Sequence, residues 1–132
     1  MDIDLAGLRA QAEAAREAAW APYSGFKVGA AILDGAGGVH VGCNVENASF
    51  GLTSCAERNA LAAAVVSGAE ILLALVIYSP GDVPWSPCGA CRQCINELMP
   101  ADAEVHSCCS AGAVRSWRVD ELLPDTFSIH HR

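Results

Sequence analysis

Apolar residues recur along this chain with two different periods, and the switches between them mark out the elements. Leu5, Leu8, Ala12, Ala15 and Ala19 form a stripe at helical spacing, with Asp4 placed to cap it and Pro22 to stop it. A Tyr23-Ser24-Gly25 turn follows. Residues 26–33 then read as a strand, 34–38 as a hairpin loop rich in glycine, and 39–43 as the returning strand. The polar stretch Asn44-Val45-Glu46-Asn47 leads towards a second helix over 54–67, which Gly68 closes. Residues 71–78 are a nearly continuous apolar run, the pattern of a strand covered on both faces. A loop carrying Pro80, Gly81, Pro84 and Pro87 opens a third helix near Cys88 that Pro100 ends. Residues 105–108 form a further strand, and the segment after Gly112 adds a short strand and a helical turn at 120–123.

This order of elements predicts an α/β fold. It is a three-layer α/β/α sandwich around a central mixed five-stranded sheet, with residues 1–132 as a single domain. In such sheets ligands gather at the carboxyl ends of strands and at helix N-termini. The starts of the second and third helices are therefore the places to look for chemistry.

Composition narrows the choice of ligand. An apolar content of 52% is incompatible with disorder. Eight basic against fifteen acidic residues leave a net charge of −7, the wrong sign for neutralising phosphates, which argues against nucleic acid as a partner and for a small molecule. The longest apolar run has eight residues, too few to span a bilayer. The acidic start Met1-Asp2-Ile3-Asp4 has no basic n-region, so a cytoplasmic location is expected. Charged residues make up only 17% of the chain, which leaves surface open to association with other subunits.

Seven cysteines, an odd number without a secretory leader, point to metal or thiolate chemistry rather than a disulfide framework. A bare C-x-x-C arises by chance about 0.4 times in a chain this rich in cysteine, so spacing alone decides little. The compound pattern decides more. Cys55 lies at the start of the second helix, with Glu57 two positions on; Pro87-Cys88-Gly89-Ala90-Cys91 opens the third. Helix N-termini favour thiolate over thiol. Three thiolates leave one zinc position open, as a catalytic site requires. A ligand, one spacer, a non-ligand Glu and a later Pro-Cys-x-x-Cys is the arrangement of the zinc deaminases. Two blander readings compete. Ser54-x-x-Glu57 is also a capping box. Cys88, Cys91 and Cys94 overlap the spacing of iron–sulfur proteins, although position 98, where the fourth cysteine would stand, is Leu.

Several further blocks stand in order along the chain: residues 21–31 (APYSGFKVGAA), 42–53 (GCNVENASFGLT), 55–58 (CAER), 87–93 (PCGACRQ) and 121–127 (ELLPDTF). With these the chain resembles the cytidine deaminase family, in its small homotetrameric type with a three-cysteine zinc site. The resemblance implies hydrolytic conversion of cytidine and deoxycytidine to uridine and deoxyuridine in pyrimidine salvage. It implies one Zn²⁺ per subunit on Cys55, Cys88 and Cys91, with Glu57 as the catalytic proton carrier. Arg58 would hydrogen-bond the ligand sulfurs and offset their charge. Asn44 and Glu46 would hold the ribose hydroxyls, Phe26 the pyrimidine ring, and the backbone of Ala56 its amide edge. Phe127 would cover the base in a neighbouring subunit's site, so that active sites are shared within a tetramer.

Asn59, Trp85 and Cys94 depart from the family's usual residues at those positions, and His106-Ser107-Cys108-Cys109 from its usual apolar strand end. Trp85, just before the Cys88 loop, bears on substrate range. Two other functions compete with the leading one. The first is deamination of a modified cytosine nucleoside or nucleoside antibiotic; the second is a non-catalytic zinc or iron–sulfur module.

Overall fold

The structure, a computed structural model, describes residues 2–129; Met1 and residues 130–132 of the expected domain lie outside the described residues. Its elements run α1 (Leu5–Arg16), β1 (Gly29–Asp34), β2 (Val39–Cys43), a single 3₁₀ turn at Phe50–Leu52, α2 (Ala56–Val66), β3 (Leu72–Ser79), α3 (Gly89–Leu98), β4 (Glu104–Cys109), β5 (Val114–Arg118) and α4 (Val119–Leu122). The five strands form one mixed sheet in the order β2-β1-β3-β4-β5. β1 runs antiparallel to both β2 and β3, β3 is parallel to β4, and β4 is antiparallel to β5. Helices cover both faces, as the pattern of apolar positions predicts.

The two faces are packed differently. On one, Leu8 and Ala12 of α1 lie against Ala31, Ala74, Val76 and Tyr78. On the other, α2, α3 and α4 bury Ala60, Leu61, Ile95 and Leu122 against Ile32, Leu75, Ile77 and Val105. β3 is the middle strand and is buried along almost its whole length, which explains its continuous apolar run. Alanine and glycine at the contacts let helix and sheet approach closely. At Gly42 an added Cβ would stand 2.4 Å from the Ala60 amide nitrogen and 2.7 Å from the Ala56 carbonyl oxygen, so α2 rests directly on the backbone of β2.

Two boundaries differ from the sequence prediction by three or more residues, each because a tertiary contact competes with the local pattern. The first helix ends at Arg16, well before Pro22. Its last turn tightens through bonds from Glu17, Ala18 and Ala19 to carbonyls three residues back. The chain then leaves so that Trp20 can pair with the 44–46 segment, donating to Asn44 O at 3.0 Å and accepting from Glu46 N at 2.8 Å. The first strand begins at Gly29 rather than 26. The Asn44 side chain takes the place of a strand there: its Oδ1 accepts from Val28 N at 2.9 Å and its Nδ2 donates to Phe26 O at 2.7 Å.

Gly29 pairs with both Cys43 and Tyr78, and Tyr78 with Cys108. That row marks one end of the sheet. The start of α2 and the loop leading into α3 meet there.

Candidate metal centre and active site

Cys55 is the N-cap of α2 and Cys88 the N-cap of α3. Both sulfurs therefore sit at the positive end of a helix, where a thiolate is favoured. Cys91, one turn into α3, is fully buried and directs its sulfur to the same point. The Sγ atoms of Cys55 and Cys88 are 4.0 Å apart, those of Cys88 and Cys91 3.2 Å, and all three lie within 4.8 Å of one another. Tetrahedral zinc, with Zn–S bonds of about 2.3 Å, needs sulfurs about 3.8 Å apart, and these separations bracket that value. Among the described residues this is the group of His, Cys, Asp or Glu side chains brought together in a way that could hold a metal.

Three anchors hold the cluster. The Cys91 amide donates to Cys88 Sγ at 3.4 Å. Arg92 Nε donates to Pro87 O at 2.8 Å, and its Nη1 to Leu122 O at 3.0 Å, tying the Pro87-Cys88 corner to α4. Ser107, wholly buried on β4, donates to Trp85 O at 2.6 Å and fixes the loop ahead of Cys88. Trp85 itself remains exposed.

The electrostatics describe a site built for a cation. The Cys55 thiol is lowered to about 5, because the Cys91 thiol donates to its sulfur and the Arg58 guanidinium and Cys88 thiol add to this. The Cys91 thiol is pushed up in turn: its proton is held in the hydrogen bond to the Cys55 sulfur, it is buried, and Glu57 lies near it. Cys55 is thus the favoured thiolate of the pair, and gathering three thiolates at this separation calls for a divalent ion. Arg58 Nη2 donates to Cys55 Sγ at 3.7 Å and to Thr53 O at 3.1 Å. Its Nε is buried without a hydrogen-bond partner, an unsatisfied donor on the side chain that contacts the Cys55 sulfur. Donor set, spacing and orphaned donor all fit zinc on Cys55, Cys88 and Cys91.

Glu57, two residues from Cys55, is 6% exposed. Burial raises its carboxyl above the ordinary value and the Cys55 thiolate adds to that, against the helix's own amide. The capping-box reading of Ser54 and Glu57 is not realised. α2 is capped at Cys55, with no side-chain cap bond, and the Ser54 hydroxyl donates instead to Asn59 Oδ1 at 2.9 Å.

The expected substrate residues gather on the neighbouring segments. Asn44 is buried at the end of β2 and frames Phe26 and Val28 as described above; Phe26 itself is 38% exposed. One Glu46 oxygen accepts from Tyr23 N at 2.9 Å and Ser24 N at 3.1 Å, and the other from the Ser24 hydroxyl. These bonds, the hydroxyl's foremost, lower its carboxyl below the ordinary value and keep it charged. Glu46 lines a cleft of about 310 Å³ with Tyr23, Ser24, Asn47, Phe50 and Thr53. Reciprocal backbone bonds of 2.9 Å between Val45 and Ser54 join this segment to the start of α2. Ala56 is buried in the first turn of α2. Phe127 stands apart: its carbonyl accepts from Gln93 Nε2 at 3.2 Å, while the ring is 72% exposed. A larger groove of about 450 Å³ between α1 and β4 contains none of these residues.

Sequence reasoning missed Ser24, whose hydroxyl links Glu46 to the Phe26 amide at 2.9 Å. A serine in a turn gives no sign of a partner 22 residues away.

Residues 3–107 match the family described as "Cytidine and deoxycytidylate deaminase zinc-binding region". The chain belongs to this family. It is 45% identical over 126 residues to the cytidine deaminase of Halalkalibacterium halodurans, covering 96% of each chain. To the cytidine deaminase of Mycobacterium tuberculosis it is 41% identical over 128 residues, covering 97% of this chain and 92% of that one. The crystal structure of cytidine deaminase from Burkholderia pseudomallei superposes with a TM-score of 0.91 at 46% identity, across 95% of this chain and all of that one. The Mycobacterium tuberculosis structure gives a TM-score of 0.85 at 40% identity, across 97% and 100%.

Proposed function

We propose that this protein is a zinc-dependent hydrolase that converts cytidine and deoxycytidine to uridine and deoxyuridine in pyrimidine salvage, releasing ammonia. The observation that carries the reading is the convergence of three cysteine sulfurs, all within 4.8 Å, beside a buried carboxyl with a raised proton affinity.

Zinc held by Cys55, Cys88 and Cys91 would supply the acidity that makes a water nucleophilic near neutral pH. Glu57 carries the protons. It takes one from the attacking water, delivers it to ring N3, and later brings a proton to the amino nitrogen leaving C4. A carboxyl whose burial favours the protonated form suits the delivering half of that cycle, and the short helical tether to Cys55 keeps it next to the ligands. Arg58 holds the charge on Cys55. Asn44 and Glu46 retain free lone pairs after their backbone bonds and can engage the ribose hydroxyls. Phe26 offers its partly exposed ring to the base, and the backbone of Ala56 meets the amide edge.

The enzyme works as a homotetramer of single-domain subunits with shared active sites. The support is an exposed apolar surface: α2 carries no charge after Arg58, and its Val65 and Val66 are 56% and 88% exposed. Phe127, equally uncovered, is free to close a neighbour's site. The described helices include none long and apolar enough to cross a membrane. A small nucleoside rather than a nucleic acid is the proposed partner, because the net charge of −7 is the wrong sign for phosphate binding.

The test is an ultraviolet assay of zinc-loaded protein on cytidine, deoxycytidine, free cytosine and a bulky cytosine nucleoside. Turnover of the first two, with free cytosine poor, supports the proposal. A preference for the bulky nucleoside transfers the reading to a modified substrate, and a colourless zinc protein inactive on all four sinks it.

A further inference from the structure

Asn59 lies within α2, one turn beyond Cys55, where its amide donates to Cys55 O at 3.2 Å as in any helix. Asparagine is a poor helix former, because its side chain competes for nearby backbone groups. Here the side chain is engaged elsewhere. Its Nδ2 donates to Cys43 O at 2.7 Å, and its Oδ1 accepts from the Ser54 hydroxyl at 2.9 Å. Cys43 O can only accept and the Ser54 hydroxyl can donate, so the two bonds fix the orientation of the amide.

Both partners are immediate neighbours of site residues. Cys43 precedes Asn44, and Ser54 precedes the ligand Cys55. The Asn44 amide donates to Val28 O on the β1 side, so the Cys43 carbonyl in the same trans peptide faces the other way, towards α2. Gly42, next along, has no side chain to keep the helix off. The reciprocal Val45–Ser54 bonds close the other side of the loop. One side chain therefore spans the joint between the strand end that presents Asn44 and the loop that presents Cys55.

We propose that Asn59 is a positioning residue that sets the separation between the metal ligands and the substrate-holding end of β2. The inference rests on the deaminase reading for its kinetic consequence, but the joint itself can be tested without turnover. Without the amide, the Ser54 hydroxyl and Cys43 carbonyl lose their common partner, and loop and strand end can drift against each other.

The experiment compares zinc-loaded wild type with Asn59→Leu, which keeps the branching and number of side-chain heavy atoms and removes both bonds, with Ser54→Ala, which removes one, and with the double variant. Two readouts are taken on each: kcat and KM for cytidine, and the rate of zinc release to a chromogenic chelator. A misplacement of about 1 Å can lower a rate about 100-fold, so Asn59→Leu is expected to lose about that factor, chiefly in kcat. Zinc release should quicken by about tenfold or more, in line with other residues that orient metal ligands. Ser54→Ala should fall between the two, and the double variant should be no worse than Asn59→Leu alone, because both act through one joint. Should Asn59→Leu fail to fold, a Ser54→Ala protein with slower turnover and faster release carries the inference. Lower thermal stability with kcat, KM and zinc release per loaded molecule all unchanged overturns it, as do Ser54 and Asn59 effects that simply multiply. If wild type does not turn over cytidine, the functional reading falls, and the release rates alone decide the joint: faster release supports it and unchanged release overturns it.

Discussion

Gly42→Ala probes the contact that sets α2 on the sheet. The new Cβ would stand 2.4 Å from Ala60 N and 2.7 Å from Ala56 O, where ordinary contacts begin at 3.4 Å. The opposing atoms are helix backbone, which cannot rotate away, so α2 must retreat by about 1 Å. Overpacking of this kind costs about 1–3 kcal/mol, and the rigidity of the partner puts this case at the upper end. Replacing glycine also stiffens the unfolded chain, which returns about 0.4–1 kcal/mol. The net loss is about 2 kcal/mol, or roughly 6–10 °C in Tm for a chain of this length. The retreat carries Cys55 and Glu57 away from the segment holding Asn44, so kcat should fall by about 100-fold as well. Thermal unfolding at matched protein and zinc concentrations, alongside steady-state kinetics, measures both effects. Gly51→Ala is the control: an added Cβ there meets nothing within 4 Å, and its Tm should stay near wild type. A Gly42→Ala protein with wild-type Tm and kcat would refute the claim that α2 is seated on the backbone of β2.

Two further predictions concern the cysteines. In metal-free protein, Cys55 is the thiolate at neutral pH, with its proton lost at about 5. Its alkylation by iodoacetamide should therefore stay fast at pH 6–7, where an ordinary thiol near 9.0 is almost wholly protonated, and should slow as the pH falls through about 5; mass mapping of the modified cysteine checks this. Arg58→Ala should move that profile to higher pH, and an unchanged profile would remove Arg58 from its role. Cys94 packs against the core beneath α3 rather than joining the cluster, so Cys94→Val should keep the full zinc content and change stability by less than about 1.5 kcal/mol. Loss of metal in that variant, measured by elemental analysis, would bring Cys94 back as a ligand.

Much of the fold was legible where local pattern and tertiary environment agree. The unbroken apolar run gave β3 because the middle strand of a two-sided sheet has no polar face. Cys88 and Cys91 could be placed at a helix start because Pro87 and three-residue spacing are local signals. The misjudged boundaries lie where a side chain or a distant segment replaces local bonding: Asn44 standing in for a strand at Phe26–Val28, and Trp20 drawn out of α1 by the 44–46 segment. The competing capping-box reading of Ser54-x-x-Glu57 is unrealised for the same reason, since the hydroxyl that would have capped the helix donates to Asn59. Ligand spacing was readable because coordination chemistry restricts it. The tertiary bonds that orient Glu46 and Phe26 through Ser24 follow no spacing rule, and they became visible only in three dimensions.

In the proposed reaction Cys55, Cys88 and Cys91 hold zinc while Glu57 moves the protons of a hydrolytic deamination. Glu57→Gln keeps the size of the side chain and its place in α2 but removes the proton carrier. The measurement is zinc per chain and cytidine turnover on the same preparation. Wild-type zinc content is expected with turnover lower by about 10²–10⁴-fold, the range of general acid–base catalysis. A zinc-replete Glu57→Gln protein turning over cytidine near the wild-type rate would contradict it.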